Sequence, residues 1–201
     1  WEIQLLETGF LAVFLCPLLD GRPFPKRPPP APVIWLFRWL IFRIMLGAGL
    51  IKLRGDSCWR DLTCLYYHYE TQPIPNPLSS LLHFMPHWFH KLGVLWNHLN
   101  ELIAPWFMFG PRRSRHVAGF LLVSFQVILI LSGNLSFLNW VTIIPALACF
   151  DDSWLVHILP KGLTERAVQA GALAKVSRAQ RVVIPGLVLL VAVLSVFPIA
   201  N

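Results

Sequence analysis

The stretch Gly47–Pro73, GAGLIKLRGDSCWRDLTCLYYHYETQP, joins the end of an apolar block to a segment rich in polar and reactive side chains. Lys52 and Arg54 close the apolar block, and two cysteines and a run of aromatic residues follow at once. The sequence on both sides of this stretch is mainly apolar. The sequence therefore predicts that Gly47–Pro73 lies where a membrane helix meets water.

The composition indicates a membrane protein. The chain has 201 residues, of which 56% are hydrophobic and 13% charged, whereas soluble domains carry roughly 25% charged residues. Its net charge of +7 comes from basic residues clustered in short loops, so topology explains the charge better than nucleic-acid binding does. We also interpret the chain as a fragment, because it opens on Trp1 inside an apolar run and ends after an apolar block.

Six apolar blocks predict an all-α fold, a polytopic helical membrane bundle with about five or six membrane segments. The predicted membrane segments are 1–19 (truncated), 33–51, those within 92–150, and 182–201. The polar regions between them are a proline-rich linker at 20–32, a loop at 52–91 and a linker at 151–181, which is partly predicted as an amphipathic helix around 164–175. Within 92–150 the blocks are 92–109, 117–131 and a short one at 137–150, which would tilt, re-enter the membrane or form a hairpin.

Lysine and arginine counts orient these segments. The linkers 20–32 and 110–116 hold three each and 151–181 holds five, against four in 52–91 and none in 132–136. Cytoplasmic loops carry an excess of such residues. The linkers 20–32, 110–116 and 151–181 are therefore predicted to be cytosolic, and the loop 52–91 to face the lumen or the exterior.

The cysteines allow more than one interpretation. Cys58 and Cys64 flank five residues on the predicted oxidising side, which leaves a structural disulfide, two free thiols or a redox pair open. Their spacing is neither a CxxC motif nor a zinc pattern. Cys16 and Cys149 lie in apolar blocks and are predicted to be inert core residues.

Three histidines are spaced as metal ligands on one helix face would be. His83, His87 and His90 are four and three residues apart, but Pro86 interrupts a helix between them. The alternative is an interfacial amphipathic segment with Trp88 at headgroup level. We predict no metal and no cofactor.

Four charged or titratable residues, Arg38, Arg43, His98 and Glu101, lie inside apolar blocks. A charge at membrane depth is costly and normally faces a partner or a wet cavity. Arg43 is predicted to pair with Glu101 or Glu7. Such a pair would either hold the bundle together or line a polar cavity for a substrate.

Lys52 also has two interpretations. Lysines at helix ends usually anchor the helix by reaching for the interface. A desolvated lysine beside a membrane cavity would instead act as a base, and His68 and Glu70 would assist it.

Longer motifs resemble the lipase maturation factor family. They cover nearly the whole chain and are Leu36–Leu40, Gly47–Asp56, Cys58–Cys64, His68–Pro73 with Pro75–Pro77, Ser132–Trp140 and Ala148–Asp152. The cysteine-bearing form of the loop is more similar to one of the family's paralogues than to the other.

This resemblance implies a multi-pass endoplasmic-reticulum membrane protein that is not an enzyme. The family helps secreted lipases, lipoprotein lipase among them, fold and assemble into homodimers, so the implied partners are secreted homodimeric lipases and membrane lipid. The loop 52–91 corresponds to the family's lumenal loop. The family's large lumenal C-terminal region lies outside this chain.

We expect an aromatic face on the lumenal loop to hold such clients. Its candidate residues are Trp59, Tyr66, Tyr67, Tyr69 and Trp88, and a Cys58–Cys64 crosslink would keep the loop in shape. The alternative is that these aromatic side chains only pack against the bundle and the membrane surface.

A second, shorter resemblance points to a different class of function. Ala48–Leu53, followed by Trp59, is similar to the segment of the vitamin K-dependent gamma-carboxylase that carries its catalytic lysine. It implies, as the alternative, a membrane-embedded enzyme that uses Lys52 as its base.

Overall fold

The computed structural model describes residues 2–17, 20–21, 25, 28–72, 74, 76–172 and 176–200, with backbone alone for 197–200. The regular secondary structure of these residues is all helical, and they contain no strand. Three basic residues of the predicted linker 20–32, Arg22, Lys26 and Arg27, lie outside the described residues, as do Pro73 and Pro75.

Twelve α-helices follow one another in the described chain: α1 Glu2–Val13, α2 Ala31–Gly55, α3 Ser57–Arg60, α4 Leu65–His68, α5 Ser79–His83, α6 His87–His98, α7 Ala104–Phe107, α8 Arg112–Ser132, α9 Leu138–Ala146, α10 Asp152–Ile158, α11 Lys161–Ala172 and α12 Arg178–Ala200. A π-helix, Leu99–Ile103, joins α6 to α7, and a 3-10 turn, Leu147–Cys149, follows α9.

The chain forms two compact units, 1–39 with 150–201, and 40–149. In the first unit, Trp39 at the boundary donates its indole N–H to Ser195 Oγ of α12 at 3.0 Å. Gln180 in the first turns of α12 donates to the carbonyl of Pro28 at 3.4 Å. These bonds attach α12 to the segment that leads into α2 and to α2 itself.

The second unit has an apolar core built around α8. Leu122 and Phe125 of α8 are buried, as are Ile41 and Met45 of α2. The ring of Phe42 meets the ring of Trp106 edge-on, with centroids 4.9 Å apart. α8 also packs against α7 and α9.

Three helices in the described residues are long and apolar enough to cross a membrane: Ala31–Gly55, Arg112–Ser132 and Arg178–Val196. The bent pair Leu138–Cys149 and Asp152–Ile158 would make a fourth. This number is smaller than the five or six predicted. Among the described residues of the predicted first segment, the helix is α1 with 12 residues, about 18 Å long.

The predicted block 92–109 is a broken helix rather than a plain span. Pro105 has no backbone N–H to donate, and its ring would clash with the carbonyl of Glu101, four residues earlier. The π-helix Leu99–Ile103 stands directly before this proline and widens the turn. Asn97, Asn100 and Glu101 are buried on this segment, so its polar residues face inward.

Candidate functional site

Lys52, Asn97 and Glu101 form a closed hydrogen-bonded network. Lys52 Nζ donates to Glu101 Oε1 at 2.5 Å and to Asn97 Oδ1 at 2.9 Å. Asn97 Nδ2 donates in turn to Glu101 Oε2 at 2.9 Å. Asn97 and Glu101 are buried, and Lys52 is partly exposed. The network therefore places an ion pair where the end of α2 meets the π-helix.

Helix geometry and one glycine make this network possible. Asn97 and Glu101 are four residues apart and so share a helix face. Gly49 lies one turn before Lys52, where a Cβ atom would come within 2.6 Å of Leu102 Cδ2 and 3.0 Å of Glu101 Cβ. Only glycine allows α2 to approach this closely without displacing Leu102 or Glu101.

Aromatic and histidine side chains border the network. Lys52 Nζ lies 4.7 Å from the centroid of the Trp59 ring, a cation–π distance. His98 Nε2 donates to the carbonyl of Trp59 at 3.0 Å, which fixes the Trp59 backbone against α6. Burial, and secondly the positive charge of Lys52, lower the pKa of His68. His68 is therefore held in its neutral form beside the network.

A disulfide closes the loop that carries Trp59. Cys58 and Cys64 are bonded, with their Cα atoms 4.8 Å apart. Asp56 caps α3 by accepting from the backbone N–H of Cys58 at 2.9 Å. Leu62 inside the loop has a positive φ of 59°, a conformation that L residues rarely adopt. The crosslink and the cap hold the loop in a compact form.

Residues that are far apart in the sequence meet at the end of α8. Asn76 Nδ2 donates to the carbonyl of Ile130 at 3.1 Å, and Ser79 Oγ donates to the carbonyl of Ser132 at 3.0 Å. The last carbonyls of a helix have no partner within the helix. The loop after α4 supplies those partners and is thereby attached to α8.

The structure changes the predicted place of Glu70 and the predicted partner of Glu101. Glu70 is exposed, and its carboxylate lies 3.7 Å from His83 Nε2, so the carboxylate beside Lys52 is that of Glu101 instead. The sequence offered Arg43 as one partner for Glu101, whereas the cation that Glu101 meets is Lys52.

The four residues predicted as buried charges differ in their exposure. Arg38 and Glu101 are buried, and Arg43 and His98 are half-buried. The guanidinium of Arg38 lies 4.8 Å from the centroid of the Trp35 ring.

The five aromatic candidates do not form one exposed face. Tyr67 and Trp88 are each 62% exposed, whereas Tyr69 is buried. Tyr66 and Trp59 are half-buried. The inclusion of Tyr69 in an exposed face is therefore wrong, because its ring packs inside the unit, with its centroid 5.9 Å from that of His90.

Within the loop 52–91, one exposed aromatic residue was missed among those that the structure describes. Phe84, which follows α5, is 83% exposed. It lies between the end of α5 and Pro86, which precedes α6, so no helical periodicity in the sequence indicated its exposure. Asn97 was missed as a site residue as well, although its spacing of four from Glu101 in an apolar block could have indicated it.

The three histidines weighed as metal ligands lie on two different helices. His83 ends α5 and His87 begins α6. His87 stacks on Tyr66 at a centroid distance of 4.3 Å, and His90 is buried. Among the residues that the structure describes, no group of three or more metal-binding side chains is placed to hold an ion.

The cysteines outside the loop differ from each other. Cys149 is buried, as a core residue should be, whereas Cys16 is exposed. The prediction of a buried Cys16 is wrong because α1 ends at Val13, three residues before it.

The family model and the relatives that match the chain all point to the same family. A family model described as the lipase maturation factor transmembrane domain matches residues 1–157. Lipase maturation factor 1 of Bos taurus is 61% identical over 81% of the chain, and that of Homo sapiens is 57% identical over 84%. Lipase maturation factor 2 of Homo sapiens is 40% identical over 77% of the chain.

These relatives are much longer than the chain. The matched region covers 29% of the bovine protein, 30% of the human lipase maturation factor 1 and 24% of the human lipase maturation factor 2. No solved structure matches the chain.

Proposed function

Because the chain belongs to the lipase maturation factor family, we propose that it is the membrane-embedded part of a factor that assists secreted lipases. In this proposal it helps lipases such as lipoprotein lipase fold and assemble into homodimers. We place it in the endoplasmic-reticulum membrane as a multi-pass protein, since secreted proteins fold in that compartment. The match over residues 1–157 supports the assignment.

The observation that carries the mechanism is the exposure of three aromatic side chains in the loop 52–91, Tyr67, Phe84 and Trp88, which we propose act together and call the aromatic surface. All three are well over half exposed. Large aromatic side chains contribute much of the buried area at protein interfaces. A lipase subunit that has not met its partner exposes apolar surface, and the aromatic surface would cover it until the second subunit arrives.

Local packing supports a rigid presentation of this surface. The stack of Tyr66 on His87 joins α4 to α6. Leu65 of α4 packs closely on Gly93 of α6, because a Cβ atom added at Gly93 would lie 2.5 Å from Leu65 Cδ1. A surface that is already ordered loses less entropy when it binds a client.

The charge pattern supports a lumenal position for this surface. Asn76 and Ser79 bond to the last carbonyls of α8, so the loop 52–91 lies at the end of α8 that is opposite to its three N-terminal arginines. If α8 crosses the membrane, this agrees with the assignment of the loop 52–91 to the lumen and of the basic linker 110–116 to the cytosol.

The enzyme alternative, with Lys52 as base assisted by His68 and Glu70, has less support. The names of the relatives describe maturation factors and no reaction. Lys52 forms an ion pair with Glu101, which is a structural use of its ammonium group. The variant Lys52→Arg keeps a cation but removes the titratable amine, so full lipase maturation by it would argue against catalysis.

Co-purification of lipase with the membrane factor tests the proposal. We expect Trp88→Ala to lower lipase capture and secreted lipase activity, with Trp140→Ala as control, because Trp140 is 61% exposed but belongs to α9. Undiminished capture and activity in a Tyr67, Phe84 and Trp88 triple alanine variant would remove the proposal.

A further inference from the structure

The predicted polar linker 151–181 contains two consecutive helices, α10 and α11, which we call the α10–α11 hairpin, and they line one apolar groove. Helices α10 and α11 line this groove, whose volume is about 520 Å³. Most of its lining is apolar and includes Leu155, Val156, Leu159, Leu163, Ala167 and Val168.

The spacing of its apolar residues makes α11 amphipathic. At about 100° per residue, the groove residues Leu163, Ala167 and Val168 fall on one side, and Gln169 falls on the opposite side. Val168 is 68% exposed. Within the part of the chain that the structure describes, this apolar side is therefore open.

The hairpin cannot lie far from the membrane. α11 ends at Ala172, and α12, which is long and apolar enough to cross a membrane, begins at Arg178. The five residues between them reach at most about 18 Å. The end of α11 therefore stays close to the membrane surface at which α12 enters.

The charges around the groove suit anionic lipid. The described basic residues of this region are Lys161, Arg166, Arg178 and Arg181, against Asp151, Asp152 and Glu165. Lysine and arginine next to a membrane span are attracted to anionic headgroups. This pattern favours a lipid surface over a protein partner.

We propose that the α10–α11 hairpin lies in the headgroup layer of the membrane that the chain itself spans, with phospholipid acyl chains filling its groove. Lys161 and Arg166 then contact anionic headgroups, while Leu163 and Val168 contact the acyl chains. Burial of these apolar side chains in the interface stabilises the position. This proposal does not depend on the lipase-related function.

Site-specific photo-crosslinking tests it in the whole chain, reconstituted in nanodiscs of phosphatidylcholine with a minority of phosphatidylserine. Benzoylphenylalanine replaces Val168 in one variant and Gln169 in the other, and adducts with tagged phospholipid are measured. Both side chains are exposed, so the replacement fits at either position. We expect roughly tenfold more lipid adduct at 168 than at 169, because a helix lying in the interface buries only its apolar side.

Three results would overturn the proposal: equal lipid adducts at the two positions, no lipid adduct at 168, or an adduct at 168 with protein instead of lipid. The headgroup contact has its own test. Lys161→Glu with Arg166→Glu, or nanodiscs without phosphatidylserine, should each lower the adduct at 168. Unchanged yields in both would overturn the headgroup contact.

Discussion

Lys52 Nζ and Glu101 Oε1 lie 2.5 Å apart, although 49 residues separate them in the sequence. Glu101 is buried, and Asn97 holds its second oxygen. A buried carboxylate without its cation is strongly unfavourable. This contact therefore fixes the end of α2 against the π-helix and, through Trp59, the start of the loop that follows.

Removing the cation should destabilise the fold. We expect Lys52→Met to lower the free energy of unfolding by about 2–3 kcal/mol, less than for a fully buried pair because Lys52 is partly exposed. Denaturant unfolding in detergent measures it, and Lys91→Met, at an exposed lysine, is the control. Adding Glu101→Gln to Lys52→Met should recover part of the loss. No recovery would mean that the two side chains are not coupled.

Two glycines of α2 should respond in opposite ways to the same change. Gly49→Ala brings a methyl group against Leu102 and Glu101, and we expect a loss of about 1–3 kcal/mol. At Gly47 no atom lies within 4 Å of the position that a Cβ would take, so Gly47→Ala should gain up to about 1 kcal/mol from helix propensity. Thermal unfolding of both variants tests this, and equal effects would contradict the close approach at Gly49.

The disulfide should matter for the loop and less for the bundle. We expect Cys58→Ser with Cys64→Ser to cost about 2 kcal/mol or less, since the closed loop is short. Lipase capture should also fall, because Cys64 directly precedes α4, which carries Tyr67 of the aromatic surface. Gel mobility with and without reductant shows the bond, and Cys16→Ser, at an exposed free cysteine, is the control. Full capture by the double variant would exclude a role for the crosslink.

Acid should destabilise the region around His68. The pKa of His68 is lowered in the fold, mainly by burial and also by Lys52, so the folded state binds fewer protons than the unfolded state below pH of about 6.5. Stability should fall as the pH drops from about 6.5 towards the lowered pKa, and level off below it. Unfolding of the wild type and of His68→Gln across this range measures the effect.

The control for that measurement is His157→Gln, at an exposed histidine of α10. The slope of the free energy of unfolding against pH should become shallower in His68→Gln and stay unchanged in His157→Gln. An unchanged slope in His68→Gln would show that another group is responsible.

The long helices were predictable because their signal is local. α2, α8 and α12 are continuous apolar runs, and each was predicted within a few residues of its observed ends. The segment 92–109 was not, because Pro105 and the polar residues around Glu101 serve tertiary contacts that a hydropathy pattern does not encode. The hairpin of α10 and α11 was only partly predicted, as an amphipathic helix around 164–175.

The sequence predicted which residues belong to the site better than it predicted which of them contact each other. Lys52, His68 and Glu101 were all singled out, yet the sequence could not tell that Lys52 meets Glu101, since their contact depends on how α2 approaches the π-helix. The burial of Tyr69 has the same origin, because it follows from the position of His90 on another helix. For Cys58 and Cys64, the spacing left three states open, and only the folded loop brings the two sulfur atoms together.

The bonds from Asn76 and Ser79 to the last carbonyls of α8 affect how that helix fits a bilayer. Side chains satisfy these carbonyls, so α8 is able to stop below the lipid surface without leaving them exposed to hydrocarbon. The length of α8 therefore need not match the thickness of the bilayer, which lets the protein tolerate membranes of different thickness.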